Sequence, residues 1–309
     1  MAGQSCPQCA EPVGPQDRFC AECGARMADR PRDRVEVDVG VGAGVSDRGR
    51  RHHRNEDALA LRRLGPGLGA GPGSGQHGVV VAVVCDGVSS SDRPDQASET
   101  AAEVAAEALV AALHAGDGPV TAMQEAIHAA GQAVAGLAGS TQTTRDAPAC
   151  TLVSAVVTDG TVTVGWVGDS RAYWIPRTCT ESAPPTRLTE DDSWLVQVVA
   201  AGTLTLAEAA TDRRAHAITA WLGEDATPLD PHVVTFTPEG PGVVVVCTDG
   251  LWNYFDNADA LAAALPTLPP EAPLDAARRL VETALNCGGR DNITAAVLPF
   301  GVPRSGSMS

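Results

Sequence analysis

Valine-rich runs set the pattern of this chain. Val79 to Cys85 is an unbroken apolar run ending at Asp86-Gly87, and Val243 to Cys247 is a second that leads into Thr248-Asp249-Gly250. Short runs of β-branched residues bounded by turn residues predict strands buried on both faces. Thr151–Thr158 and Thr161–Val167 predict two more strands, joined by Asp159-Gly160, a two-residue hairpin signal. Gly168-Asp169-Ser170-Arg171 interrupts the pattern and Ala172–Ile175 continues it. Val35 to Val45 alternates as an edge strand does, and strands are also predicted at 232–237 and from Ile293 to Leu298. Residues 95–115 and 121–138 are alanine-rich with helical spacing, Val104, Leu109 and Leu113 marking one face of the first. Two consecutive helices of this length can cover a sheet face. Further helices are predicted at about 257–265 and 273–286. Residues 190–201 and 205–222 read as helical but patchily polar, as an exposed flap would.

Hairpin strands, then a helix pair, then strands again argue an α+β layered domain with mainly antiparallel sheets. A doubly wound nucleotide fold would need regular βα alternation and a glycine-rich phosphate loop. The glycines of the loop at 65–78 precede no helix, so they make no phosphate cradle.

Length and composition add bounds. The 309 residues suffice for one large domain and a small appendage. Every basic residue is arginine, and the net charge of −16 disfavours nucleic acid and anionic membranes as partners. No apolar run reaches the length of a membrane span, and MAGQSCPQC has no signal-peptide character. A cytoplasmic location is expected, with the nine cysteines reduced or metal-bound.

The first unit, residues 1–25, carries Cys6-Pro-Gln-Cys9 and Cys20-Ala-Glu-Cys23. Two such knuckles bring four thiolates to a tetrahedron, as in a zinc ribbon. So short a segment has no apolar core, so one structural Zn²⁺ would supply its folding energy. With no basic patch, a protein partner suits it better than nucleic acid. Residues 26–34 read as a linker, 35–300 as the main domain, and 301–309 as a disordered tail.

Acids cluster at the ends of the predicted strands and in adjoining turns: Glu56-Asp57, Asp86, Asp249 and Asp291. One Asp-Gly is usually only a turn. Several carboxylates together can hold two hard divalent cations through oxygen ligands.

In order, NEDA, CDG, GDSRAY, LTxD, TDGLW and GGRDNIT resemble the metal-dependent protein phosphatase family, type 2C, over roughly residues 35–300. The resemblance implies a central β-sandwich of two mainly antiparallel sheets flanked by helix pairs. It also implies hydrolysis of phosphoserine and phosphothreonine on proteins, with two Mn²⁺ or Mg²⁺ activating a bridging hydroxide. The substrates would be phosphoproteins made by a Ser/Thr kinase. By position, Asp86 resembles the carboxylate bridging both metals, and Gly87 would offer its carbonyl. Asp249 and Asp291 resemble the other direct ligands, and Glu56 and Asp57 the pair holding metals directly or through water. Asp169 resembles the ligand of a third, weaker metal, with a turn aspartate as the plain alternative. Asn292 would support Asp291.

The chain departs from the family pattern at several positions. His52 stands where an arginine usually binds substrate phosphate; the alternative is a histidine in a solvated loop. Val88 replaces a histidine of many eukaryotic members. Asn253 stands where an aspartate often helps the third metal, and Asp192 replaces a common flap histidine. A catalytically weak phosphoprotein-binding or scaffold module, and a small-molecule phosphatase, are the competing readings.

Overall fold

The computed structural model describes residues 4–5, 9, 11–13, 22–23, 33–65, 78–138, 147–226, 229–255, 257–265 and 272–301. Near the N-terminus, β1 (Gln4–Ser5) pairs antiparallel with β2 (Pro12–Val13). The glycine-rich loop, most of the linker and the tail predicted from sequence lie outside the described residues.

The main domain is a four-layer stack. β3 (Arg34–Asp38) and β4 (Ala43–Asp47) form a hairpin, followed by β5 (Asp57–Leu64) and β6 (Val79–Asp86). Two helices follow, α1 (Pro94–Ala115) and α2 (Pro119–Ala135), each opened by proline in its first turn. Next come β7 (Ala149–Cys150), β8 (Leu152–Val157), β9 (Val162–Val167), β10 (Arg171–Pro176) and β11 (Thr186–Arg187). A flap holds α3 (Trp194–Ala200) and α4 (Leu206–Ala210), and ends at β12 (Leu222–Gly223). The chain closes with β13 (His232–Phe236), β14 (Gly242–Cys247), α5 (Asp249–Trp252), α6 (Ala258–Ala264), α7 (Pro273–Asn286) and β15 (Ile293–Phe300).

One sheet has the order β11-β10-β14-β15-β4-β3 and the other β13-β9-β8-β6-β5, with every pairing antiparallel. The alternation along each strand divides the apolar side chains between layers. In β6, Val80, Ala82 and Val84 face the other sheet and meet Val244, Val246 and Leu298. Val81, Val83 and Cys85 face α1 and α2, against Ala101, Ala105, Leu109 and Ile127. On the far side, Val243, Val245 and Cys247 pack on Leu261, Leu280 and Val281 of α6 and α7. Small residues let the layers close tightly. At Gly165 of β9, a Cβ would stand 2.4 Å from Met123 Cγ of α2.

Sequence and structure differ in three places. Val35–Val45 is a two-strand hairpin rather than one strand, because Gly40 turns the chain with φ +80° and Val39 N–H donates to the Gly42 carbonyl. GDSR does not interrupt one strand: it is the crossing between sheets, from β9 to β10. The flap helices are also shorter than their apolar pattern predicts. Beyond α4, Asp212 bonds the Arg214 backbone and side chain and competes with helical pairing.

Candidate metal centre

Strand register alone gathers the acids. Asp57, first in β5, lies directly opposite Asp86, last in β6. Val84 pairs with Val153 and Leu152 with Val167, so β8 begins and β9 ends at the same edge. In the other sheet Arg171 pairs with Cys247 and Cys247 with Ala295. The β9–β10 crossing with Asp169, the end of β14 before Asp249, and the start of β15 after Asp291 therefore all lie at one end of the sandwich.

Asp86 feels, after the cost of its burial, the charges of Asp57, Asp249, Asp169 and Asp291, and its carboxyl is held well above the usual range. Asp249 lies within hydrogen-bond reach of Asp86. Burial, and then the charge of Asp291, push Asp249 up as well. Burial and the charges of Asp249 and Asp191 push Asp169 up to about 7. Burial raises Asp57 too, against two hydrogen bonds that favour its charged form: Thr294 Oγ1 and Thr248 Oγ1 donate to Asp57 Oδ2 at 2.7 and 2.9 Å. These threonines lie on the opposite sheet, so Asp57 joins the two sheets at this end. The Ser46 hydroxyl backs Thr294 at 2.7 Å.

The other carboxyl oxygen, Asp57 Oδ1, is buried without a hydrogen-bond partner. A cluster of buried acids whose charged forms are disfavoured, with an orphaned oxygen among them, could hold hard cations. Gly87 fits the same use. Its backbone is seated so tightly that a Cβ would stand 2.5 Å from the Pro94 carbonyl and 2.8 Å from that of Glu56. Among the described residues, no three His, Cys, Asp or Glu side chains already form an ion shell. Hard cations of this kind complete their coordination with water and carbonyl oxygens.

Glu56 is directed elsewhere. Its two oxygens accept from Arg54 Nε at 2.9 Å and Ser89 Oγ at 2.6 Å, while its backbone carbonyl receives the Gly87 N–H. Asn292 ties the approach loop to β15: its Oδ1 accepts the Glu56 N–H at 2.7 Å, and its Nδ2 donates to the Arg48 and Arg54 carbonyls. His52 Nε2 is 3.1 Å from Asp291 Oδ1. Asn253 Nδ2 donates to Asp249 Oδ2 at 3.3 Å. Asp192 accepts the Gly168 N–H at 2.9 Å and pairs with His232 at 2.9 Å, so it holds the crossing beside Asp169. Burial raises the Cys85 and Cys247 thiols, which keeps them protonated and poorly nucleophilic.

Sequence reasoning missed the hydroxyls of Ser46, Ser89, Thr248 and Thr294. Thr248 and Thr294 stand beside a singled-out acid or strand start, but a hydroxyl's partner is fixed only by the fold. Of the zinc-ribbon cysteines, Cys6 and Cys20 lie outside the described residues, and Cys9 and Cys23 sit in exposed turns.

Carboxylates converging on one end of a two-sheet sandwich could hold divalent cations. The chain belongs to the protein phosphatase 2C family, whose model matches residues 70–283; a zinc-ribbon domain model matches residues 2–27. It is similar to the serine/threonine phosphatase stp of Listeria innocua, 25% identical over 231 residues, which span 73% of this chain and 86% of that protein. The Ser-Thr phosphatase MsPP from Mycobacterium smegmatis, solved with cacodylate, superposes with TM-score 0.61 at 28% identity, covering 84% of this chain and 98% of that one. The catalytic domain of the serine threonine protein phosphatase PstP, solved with two manganese ions, superposes with TM-score 0.56 at 23% identity, covering 84% and 97%. The two-sheet, helix-flanked fold and the N-terminal zinc-ribbon domain agree with expectation. Among the described residues no helix is long and apolar enough to cross a membrane.

Proposed function

We propose that the chain hydrolyses phosphoserine and phosphothreonine on proteins with the help of divalent metals. The observation that carries this reading is the convergence of Asp57, Asp86, Asp169, Asp249 and Asp291 at one sandwich end, where burial and neighbouring charge disfavour the anions of Asp57, Asp86, Asp169 and Asp249. Family membership and the manganese ions of the PstP catalytic domain support it. Mn²⁺ or Mg²⁺ ions, when bound, would supply a water of lowered pKa and charge to offset that of the phosphoryl oxygens.

The chain's own groups divide the remaining work. Asp86, Asp249, Asp291 and the Gly87 carbonyl would hold two metals, with Asp57 Oδ1 available to a metal or its water. Asp169 would hold a third, weaker one. Thr248 and Thr294 fix the rotamer of Asp57, so the orphaned oxygen is presented without further ordering. Asn292 fixes the loop that carries His52, Arg54 and Glu56. His52, 3.1 Å from Asp291, would meet the substrate phosphate. The unit 1–25 binds one structural Zn²⁺ through Cys6, Cys9, Cys20 and Cys23, is joined by 26–34 to the catalytic domain at 35–300, and recruits a protein partner. The protein acts in the cytoplasm, in signalling, on products of a Ser/Thr kinase.

Release of phosphate from a phosphothreonine peptide, measured with Mn²⁺ and with chelator, tests the reading. Turnover that requires the metal is expected. Tight binding of phosphopeptide without turnover at saturating Mn²⁺ would refute it and favour the scaffold reading.

A further inference from the structure

The flap meets the sandwich around a cavity of ≈ 440 Å³ whose lining includes Asp169, Trp252, Glu190, Leu195, Val199 and Leu206. Its flap wall is apolar yet uncovered. Helix α3 reads WLVQVVA, and none of its residues is buried. Leu206 is 62% exposed, one of two large hydrophobic residues so exposed among those described. The helix is nonetheless held in place by groups that leave this face open. Ser193 caps it, Trp194 N–H donates to the Ala217 carbonyl, and the Arg214 guanidinium lies 4.1 Å over the Trp194 ring.

On the opposite wall Arg171 and Arg187 share the Asp191 carboxylate. Arg171 stacks 3.4 Å over Trp252 and makes two hydrogen bonds to Asp191, at 2.9 and 2.6 Å. Trp252 Nε1 donates to the Asp169 carbonyl at 3.0 Å, which joins this wall to the carboxylate cluster. Glu190 stands exposed at the rim, and its carboxylate makes no hydrogen bond or ion pair among the described residues.

We propose that this cavity is a specificity subsite that seats an aliphatic side chain flanking the phosphorylated residue, with Glu190 favouring a Lys or Arg beside it. The proposal rests on the phosphatase reading for its substrate class. The occupant follows from continuity and charge. The cavity shares Asp169 with the carboxylate cluster, so a residue flanking a phosphate bound there would be within reach of it. A phosphopeptide approaching a chain of net charge −16 is repelled unless basic residues flank its phosphate.

The test uses the full chain with Mn²⁺ and phosphothreonine peptides that differ by Leu or Gly at one flanking position at a time. It measures kcat/KM, and peptide binding by fluorescence anisotropy in parallel. At one position Leu should exceed Gly about tenfold, the effect of covering part of an aliphatic side chain. Leu206→Ser and Val199→Ser, both at solvent-accessible positions, should each cut that ratio to about twofold, with circular dichroism unchanged. Glu190→Gln should remove a preference for Arg over Gln beside the Leu. Turnover with equal rates for Leu and Gly at every position would overturn the subsite and leave the phosphatase reading standing. A Leu preference in binding without turnover would support the subsite and refute that reading. Neither binding nor turnover would refute both. A dimer in solution that Leu206→Ser dissociates would assign the face to a second copy and overturn the proposal.

Discussion

Metal removal should make this protein lose stability as pH rises, the reverse of ordinary acid denaturation. Asp169 carries the argument most directly. Its carboxyl titrates near about 7 in the folded chain against 3.8 for the free group. Between those values the unfolded chain has released a proton that the folded chain keeps. Stability is therefore fullest below about pH 4, falls as pH rises toward 7, and levels off above that. One raised carboxyl of this size costs about 2–4 kcal/mol above pH 7, the lower figure allowing for its partial contact with water. In a domain of this size that lowers Tm by roughly 4–8 °C. Asp57, Asp86 and Asp249 are shifted in the same direction and add to the slope. Bound cations replace the retained protons, so saturating Mn²⁺ should raise Tm more at pH 8 than at pH 5. Differential scanning calorimetry from pH 5 to 8, in chelator and in Mn²⁺, is the assay, with Asp169→Asn as the control that removes one component. A chelated protein whose Tm is flat or rises over this span would show that the carboxylates are comfortably ionised without metal, and the reasoning would fail.

Asp249→Asn and Asp291→Asn should each lower Mn²⁺-dependent phosphopeptide turnover about a hundredfold or more, with the chelated protein no less stable; near-normal turnover in either would remove the two-metal reading. Deleting residues 1–30 should abolish zinc binding but spare peptide turnover, checked by metal analysis and kinetics on the same preparation. His52→Arg should lower the phosphopeptide KM and His52→Ala should raise it, because a guanidinium offers paired donors to phosphate; identical KM values would leave His52 as a partner of Asp291 only. Gly165→Ala should cost about 1–3 kcal/mol by driving a methyl into Met123, read as a lower denaturation midpoint.

The strand and helix positions were largely legible because the layers bury their elements differently. β6, covered on both faces, reads as continuous valine, while α1 and α7 carry one-sided stripes. The acids Asp57, Asp86, Asp249 and Asp291 were visible as breaks at the ends of such runs. Pairing was not legible. Nothing in GDSR says that the chain changes sheets there, since both flanking strands are equally apolar. Short α5 was missed because a four-residue turn has no periodicity. The flap was overread as helix because its exposed valines and alanines imitate a buried stripe. Polar bridges such as Thr248–Asp57 join residues nearly two hundred positions apart, and only sheet stacking brings them together.

The entry point of the chain into the sandwich has one more consequence. Arg34 pairs with Asp47, which pairs with Ile293, so β3 begins at the carboxylate end of its sheet. The zinc-ribbon match ends at residue 27, leaving residues 28–33 between it and β3, a span of at most roughly 20 Å. If the ribbon holds a phosphoprotein, as proposed, the short connection would raise its effective concentration at the end of the molecule where the acids lie. Such a connection would relax the demand on the catalytic surface itself. A client too poor to be turned over when free would become a good one when held, and selectivity would then reside as much in the grip as in the cut.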